Sequence, residues 1–244
     1  MELKNGEKLE DLGYKGLQII QSANEYRFTT DAVLLANFCR DLSGKSVVDL
    51  GAGSGIISIL LAAKKNAKRV VGVELQSQLA NMAQRSVEIC RLEDKVEIVN
   101  LPMQGVEKEI GTNFDAVVCN PPYRKVGSGE SQLAPNVALC RHEIAVTLQE
   151  VVQTAAALLN NKGQLYLVHQ ANRLAEICWL MKNFGVEPKE IQPVSPSVGK
   201  TPNLVIVRGV KGGNVDCTVN LPIFVTDEKG EYTPLVRTYY FTKE

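Results

Sequence analysis

Short apolar, β-branched runs alternate along this chain with longer stretches of helical spacing. The runs are Ser46–Leu50, Val70–Glu74, Val96–Val99, Asp115–Cys119, Leu165–His169 and Leu204–Arg208. Each is too short for a stable helix and rich in residues that suit a pleated, buried surface. In Gln76–Arg91, Leu79, Met82, Ala83, Ser86, Val87 and Cys90 fall at spacings of three and four, as on one face of a helix. Leu148, Val151, Val152, Ala155 and Leu158–Leu159 repeat that spacing until Asn160-Asn-Lys-Gly163 stops it. A third helix is predicted from Leu174 to Phe184, closed by Gly185. This alternation predicts an α/β fold, a mostly parallel sheet with helices on both faces. Residues 1–40 precede the first strand as an attached element, with a helix starting near Thr30-Asp31. Residues 212–244 hold a Gly-Gly turn, then Pro222–Val225 and Tyr232–Leu235 about Asp227-Glu-Lys-Gly230, the pattern of a C-terminal β-hairpin. The organisation expected is one domain over 1–244, with its core at 41–211. Gly127-Ser-Gly-Glu-Ser131 is the best candidate for a mobile loop.

Composition narrows the class. The 244 residues are 45% hydrophobic and 22% charged, ordinary for a globular protein. Lys+Arg and Asp+Glu are both 27, so bulk charge does not announce a nucleic-acid partner and any basic footprint must be local. The six cysteines are scattered without a C-x-x-C pair, which argues against zinc or a disulfide framework and for reduced thiols. No metal is expected. The start lacks a signal-peptide pattern, and the apolar stretch Ile56–Ala63 is too short to span a membrane. A cytoplasmic protein is the expectation.

Two motifs carry chemistry. Val47-Val-Asp-Leu-Gly-Ala-Gly-Ser-Gly55 puts three glycines between a strand and the helix Ile56–Lys64. Gly51, Gly53 and Gly55 let backbone approach a ligand closely. A dinucleotide fingerprint would need glycine where Ile56 stands. Asp49 at the strand end would repel a pyrophosphate and suit an ammonium or sulfonium group. Glu74, 25 positions on, ends the next strand where an acid can take both hydroxyls of a ribose. A ribosylated ligand with a cationic, phosphate-free tail fits S-adenosylmethionine better than NAD. A tight turn with two surface acids is the simpler alternative.

The second motif is Asn120-Pro-Pro-Tyr123, directly after the run Asp115–Cys119. Asn120 offers a side-chain carbonyl acceptor. Pro121 and Pro122 stiffen the backbone and remove two donors. Tyr123 offers a flat face for stacking. Together they form a clamp for a planar amine or amide nitrogen. A rigid loop with no chemistry is the competing reading.

With these motifs the chain resembles the class I S-adenosylmethionine-dependent methyltransferases, in the amino-methylating branch that carries Asn-Pro-Pro-Tyr. Ile19-Ile-Gln-Ser22, Phe28-Thr-Thr-Asp-Ala-Val-Leu-Leu-Ala36, Arg141-His-Glu143, Leu204-Val-Ile-Val-Arg-Gly-Val-Lys-Gly-Gly213 and Asp227–Thr233 are similar to the bacterial family that methylates N6 of an adenosine in valine tRNA. The resemblance covers nearly the whole chain. It implies a Rossmann-like seven-stranded sheet, S-adenosylmethionine as cofactor and tRNA as partner. It also implies that Asn120 Oδ1 and the Pro121 carbonyl accept from the amine while Tyr123 stacks on the base. Phe28, Thr30, Asp31, Leu75 and Asn100 join Asp49, the glycines and Glu74 as cofactor residues on this basis, although Asp31 also suits a helix cap and Phe28 the core. Arg124 and Lys125 are candidate phosphate contacts, and His142 a substrate-side residue. His169 suits a structural role or a pocket wall, and Lys64, Lys65, Lys68 and Arg69 a solvated helix end. The family usually carries an acid after its third strand. Val99-Asn-Leu-Pro-Met103 has Pro102 about there, which implies a weaker cofactor site unless Asn100 substitutes.

Other functions stay open at this point. A glutamine amide in a protein such as a release factor is also planar and weakly nucleophilic, but that family carries a longer N-terminal helical domain. A non-catalytic RNA- or nucleotide-binding module is a second alternative, and a dehydrogenase a third, disfavoured by Ile56.

Overall fold

The computed structural model describes residues 3–22, 30–122 and 146–240. In chain order its elements are β1 (Glu7–Asp11), β2 (Gln18–Ser22), α1 (Thr30–Phe38), β3 (Ser46–Leu50), α2 (Ile56–Ala63), β4 (Arg69–Val73), α3 (Ser77–Ile89), β5 (Val96–Val99), α4 (Glu107–Ile110) and β6 (Phe114–Cys119). After residues 123–145 come α5 (Leu148–Leu158), β7 (Leu159–Gln170), α6 (Leu174–Asn183), β8 (Val186–Ser197), β9 (Leu204–Lys211), β10 (Thr218–Val219), β11 (Ile223–Thr226) and α7 (Pro234–Tyr240). All six apolar runs are strands, a helix starts at Thr30 as expected, and the four other expected helices form within a residue or two of their expected ends. Thr147 and Glu150 close a reciprocal capping box at the start of α5.

The main sheet runs β10-β8-β9-β7-β6-β3-β4-β5, with β11 also on β8. Pairing is parallel except at β9, which is antiparallel to both β7 and β8. From β3 the chain winds outward through β4 to β5, then returns to the other side of β3 as β6. A crevice therefore opens between β3 and β6 at their carboxyl ends, the place where open α/β sheets bind ligands. Alternate residues of the central strands feed two apolar layers. Val47, Ala116 and Val118 pack with α1 and α2, and Val48, Leu50, Val117 and Leu165 with α5 and α6.

Three features depart from the sequence pattern. β8 is a strand of 12 residues despite Pro188, Pro193 and Pro196. Its outer partners β10 and β11 pair only at Glu190–Ile191 and between Val194 and Ser197, skipping all three prolines, and the register with β9 shifts at Pro188. The charged segment Glu7–Asp11 pairs with β2 because α3 supports the hairpin: Arg85 pairs with Glu7, and Ser86 Oγ accepts from Ile20 N–H at 2.9 Å. At the C-terminus the hairpin turns at Asp227–Glu231, but its second arm is only a bridge from Tyr232 to Thr226. Pro234 then starts α7, since its fixed φ and missing N–H suit a first helical position.

Gly72 on β4 shows how tightly α2 sits on the sheet. A Cβ there would lie 2.7 Å from Ile98 Cδ1, 2.9 Å from Ser58 Oγ and 3.1 Å from Ala52 Cβ. Gly72→Ala is expected to cost roughly 1–3 kcal/mol by overpacking. Urea denaturation measures this, and an unchanged midpoint would show that α2 has room to move.

Candidate active site

β3 ends in Asp49-Leu50 and delivers the glycine loop. Gly51, Gly53 and Gly55 have φ of 76°, 56° and 85°, in the left-handed region that side chains disfavour. The loop satisfies its own donors. Gly51 and Ala52 N–H donate to Val73 O at 2.9 and 3.0 Å, Gly53 N–H to Glu74 Oε2 at 2.8 Å, and Gly55 N–H to Ala52 O at 2.9 Å. A pyrophosphate cradle needs such donors unspent, so the loop is not built for a dinucleotide.

Asp49 is fully buried at the α2 N-terminus. Its Oδ2 accepts from Ser58 N–H at 3.0 Å and Ser58 Oγ–H at 2.7 Å. Its Oδ1 has no hydrogen-bond partner although it is buried. Burial above all, with a smaller push from Glu74, raises the carboxyl to about 7 against the lowering effect of Ser58. A carboxylate oxygen left unsatisfied in such a place is suited to a ligand cation.

Glu74 is buried at the end of β4. Beyond its bond to Gly53, its Oε1 accepts from Gln76 N–H at 2.8 Å. Each oxygen retains a second lone pair, enough for a hydroxyl apiece. Burial raises its carboxyl, and the backbone N–H groups of Gln76, Gly53 and Leu75 offset part of that. Asn100, just past β5, donates both amide hydrogens, to Glu74 O and Leu75 O, each at 2.8 Å. It braces the β4–α3 turn and presents its Oδ1 on an exposed face beside the exposed Leu75. Pro102 is exposed too, so the usual acid has no counterpart there.

On the other side of β3, Leu50 pairs with Cys119, and Cys119 Sγ–H donates to Leu50 O at 3.1 Å. Gly51 and Asn120 therefore leave adjacent strands side by side. Asn120 is half-buried, Pro121 buried and Pro122 exposed. Thus Asp49, the three glycines, Glu74, Leu75, Asn100 and the Asn120–Pro122 strand end share the carboxyl edge of the sheet. Thr30 and Asp31 open α1. Phe28, Tyr123, Arg124, Lys125, His142 and the loop Gly127–Ser131 lie outside the described residues. His169 is the penultimate residue of β7, buried, with its Nδ1 accepting from Gln170 N–H at 2.8 Å. Burial and the Arg173 guanidinium hold it down to about 4, so it is neutral near pH 7. Sequence reasoning missed Ser58, which fixes Asp49. Its signal was available: it is the one polar side chain in Ile56–Ala63.

A polar groove of about 160 Å³ lies at the opposite end of the sheet, lined by Asp41, Lys45, Asp115 and Asn160 among others. It shares no residue with the site above. Among the described residues no group of three or more His, Cys, Asp or Glu is arranged to hold a metal, and no helix is long and apolar enough to cross a membrane.

The model of the methyltransferase small domain family matches residues 22–186, more than half of the chain. The chain belongs to that family. It is an S-adenosylmethionine-dependent methyltransferase. Two curated relatives, from Shewanella halifaxensis and Aeromonas hydrophila, are both named tRNA1(Val) (adenine(37)-N6)-methyltransferase. The first is 24% identical, with 84% of this chain and 87% of its own length covered. The second is 28% identical, with 76% and 77% covered. Among solved structures, a predicted O-methyltransferase from Agrobacterium tumefaciens superposes with a TM-score of 0.68 at 23% identity, over 87% of this chain and 98% of its own. TYW2 of M. jannaschii in complex with AdoMet gives 0.56 at 12% identity, over 86% and 88%. These likenesses share the fold. The residues present fit the cofactor: a buried oxygen lacking a partner faces the need of a cation, and Glu74 has lone pairs for two hydroxyls.

Asp49 gives the site a pH dependence with a definite sign. Its folded-state value is raised from 3.8 to about 7, so in the ligand-free protein it contributes stability that is present below its unfolded value and lost as pH rises through 7. Binding of a cation needs the carboxylate and expels a proton below pH 7. Affinity for S-adenosylhomocysteine, whose amino group is cationic, should rise with pH, approaching about tenfold per unit well below 7. Titration calorimetry in buffers of different ionisation enthalpy should show proton release, and Asp49→Asn should flatten the profile. A flat wild-type profile between pH 5.5 and 7 would contradict the role of Asp49.

Proposed function

We propose that this methyltransferase modifies the exocyclic N6 amine of an adenosine in tRNA, in a valine tRNA as the names of its relatives suggest. The observation that carries the reading is the adjacency of two strand ends. Gly51 on β3 opens the cofactor loop, and Asn120-Pro121 leaves β6 beside it. The cofactor supplies an electrophilic methyl group on a sulfonium, and the protein's task is to place an amine in line with it.

An adenine amine is a poor nucleophile because its lone pair is delocalised into the ring. Asn120 Oδ1 and the Pro121 carbonyl act as acceptors for its two N–H groups and turn the lone pair out of the ring plane. Pro121 and Pro122 hold those acceptors stiffly. Tyr123 stacks on the base, a contact worth roughly 1–3 kcal/mol. Asp49 anchors the cationic tail of the cofactor, Glu74 its ribose hydroxyls, and Leu75 and Asn100 border its adenine. Rate acceleration comes from positioning and desolvation. The product ammonium is acidic and loses its proton without a strong base. The target adenosine must leave its stack to enter, with Arg124, Lys125 and His142 as candidate contacts to the surrounding RNA.

Unmodified total tRNA incubated with labelled S-adenosylmethionine should yield N6-methyladenosine by nucleoside mass spectrometry. Asn120→Ala should lower turnover by about 100-fold or more, on the scale of losing one positioned polar group in an active site, and leave S-adenosylhomocysteine affinity intact. Label in protein and none in tRNA would overturn this reading in favour of the glutamine amide.

A further inference from the structure

The carboxyl edge of the sheet continues beyond Asn120-Pro121. β7 lies next to β6, with Leu167 opposite Cys119, so the end of β7 stands beside the proposed acceptors. β9 is antiparallel to both β7 and β8, so β9 starts and β8 ends at that same edge. β11 runs parallel to β8 and ends there too, at Thr226. Backbone hydrogen bonds tie these strand ends into one ledge. Ala171 N–H donates to Asn203 O at 2.9 Å, Asn203 N–H to Val194 O at 3.1 Å, and Val198 N–H to Thr226 O at 3.2 Å. Between β8 and β9 the chain turns at Ser197–Lys200. Lys200 N–H donates to Ser197 O at 3.2 Å, and Gly199 takes the positive φ of 75° that the turn requires.

The ledge is polar, and its charge is of one sign. Gln170, Asn172, Lys200, Thr201 and Asn203 are all exposed. Neither Gln170–Arg173 nor Val198–Asn203 contains Asp or Glu. Glu176, one turn into α6, is held by Arg173: Arg173 Nε donates to Glu176 Oε2 at 2.8 Å and its Nη2 pairs with Oε1. Acids resume past Thr226, at Asp227, Glu228 and Glu231, and so bound the ledge on its far side. The cofactor half of the same edge is the reverse, with Asp49 and Glu74 at its strand ends. A polyanion is therefore repelled from one side of β6 and accepted on the other. The ledge spans three strand spacings from β6 to β8, about 14 Å in all. That is the scale of the nucleotides next to an extruded base, which enzymes acting on a base also grip.

We propose that the ledge from Gln170 to Lys200 is the docking surface for the RNA strand flanking the target adenosine, with Lys200 on a backbone phosphate. Exposed amides and the Thr201 hydroxyl supply further donors to phosphate and sugar oxygens. The proposal deepens the reading of the substrate as tRNA and rests on it. It gives a chain with zero net charge a local footprint for a polyanion. It also assigns the β8–β9 turn to holding RNA and leaves the methyl transfer to the strand ends of β3, β4 and β6.

The test uses the full chain with Lys200→Ala, Lys200→Glu and, as a control from the acidic stretch beyond Thr226, Lys229→Ala. Filter binding of unmodified total tRNA across a salt series gives Kd and its salt slope. Methylation of the same tRNA gives KM and kcat, calorimetry gives the Kd for S-adenosylhomocysteine, and thermal unfolding reports on the fold. Lys200→Ala should raise the tRNA Kd and KM by about two- to tenfold and lower the salt slope by about 0.7–0.9, the loss of one phosphate contact. Lys200→Glu should raise both constants further. Saturating kcat, S-adenosylhomocysteine affinity and Tm should stay at wild type in each, and Lys229→Ala should change nothing. Wild-type tRNA affinity and salt slope in Lys200→Glu, or an equal loss in Lys229→Ala, would overturn the proposal and leave tRNA as the substrate. Label in protein and none in tRNA with the wild-type enzyme would overturn the proposal together with the substrate reading beneath it.

Discussion

Asp49 is buried completely, and the protein satisfies only one of its two oxygens. Much of the architecture around the site follows from that constraint. A carboxylate taken out of water is costly unless hydrogen-bonded and paired. Ser58 answers half of the need, and it can do so only because α2 starts close above the end of β3. That closeness depends on Gly72, which leaves room beneath Ser58 and Ala52. It depends also on three consecutive alternate glycines, whose positive φ values bring the chain from strand to helix in a few residues. The other half of the need is left for a cation. Affinity for such a ligand is thus the relief of a desolvation cost already present in the folded protein.

Topology then decides what the cation sits beside. Because β4 and β6 flank β3 on opposite sides, one crevice receives Glu74 from one neighbour and Asn120-Pro121 from the other. The proposed cofactor half and acceptor half of the site are brought together by strand order, with no long-range loop needed to join them. The hydrogen bonds of the glycine loop and of Asn100 are spent on holding backbone in shape, which leaves carboxylates and carbonyl groups as the chemistry facing outward. Such a surface favours a cationic, hydroxylated cofactor and a donor-bearing amine over phosphate.

Much of this was legible in the sequence. The apolar runs located six strands, and the acid and glycines around Asp49–Gly55, with Glu74 25 residues from Asp49, pointed to the cofactor class. The misses have physical causes. β8 was hidden by Pro188, Pro193 and Pro196, which a strand tolerates only where its outer partners are short and interrupted. β1 has one apolar residue in Glu7–Asp11, and its pairing is secured by Arg85 and Ser86 from a helix far along the chain. Pro234 is compatible with a turn, a strand edge or a helix start, and only the packing of Val236 selects the last. Asn100 spends its amide hydrogens on the Glu74 and Leu75 carbonyls, which leaves its Oδ1 for the adenine-side role proposed for it.

The central claim is that the crevice between β3 and β6 holds the methyl donor with its cationic tail on Asp49. A crystal structure of the protein with S-adenosylhomocysteine tests it most directly. The account predicts the ligand's amino group facing Asp49 Oδ1, its ribose hydroxyls on Glu74 and its sulfur turned toward Asn120. A nucleoside seated away from Glu74, or a ligand whose amino group leaves Asp49 Oδ1 unpartnered, would contradict it.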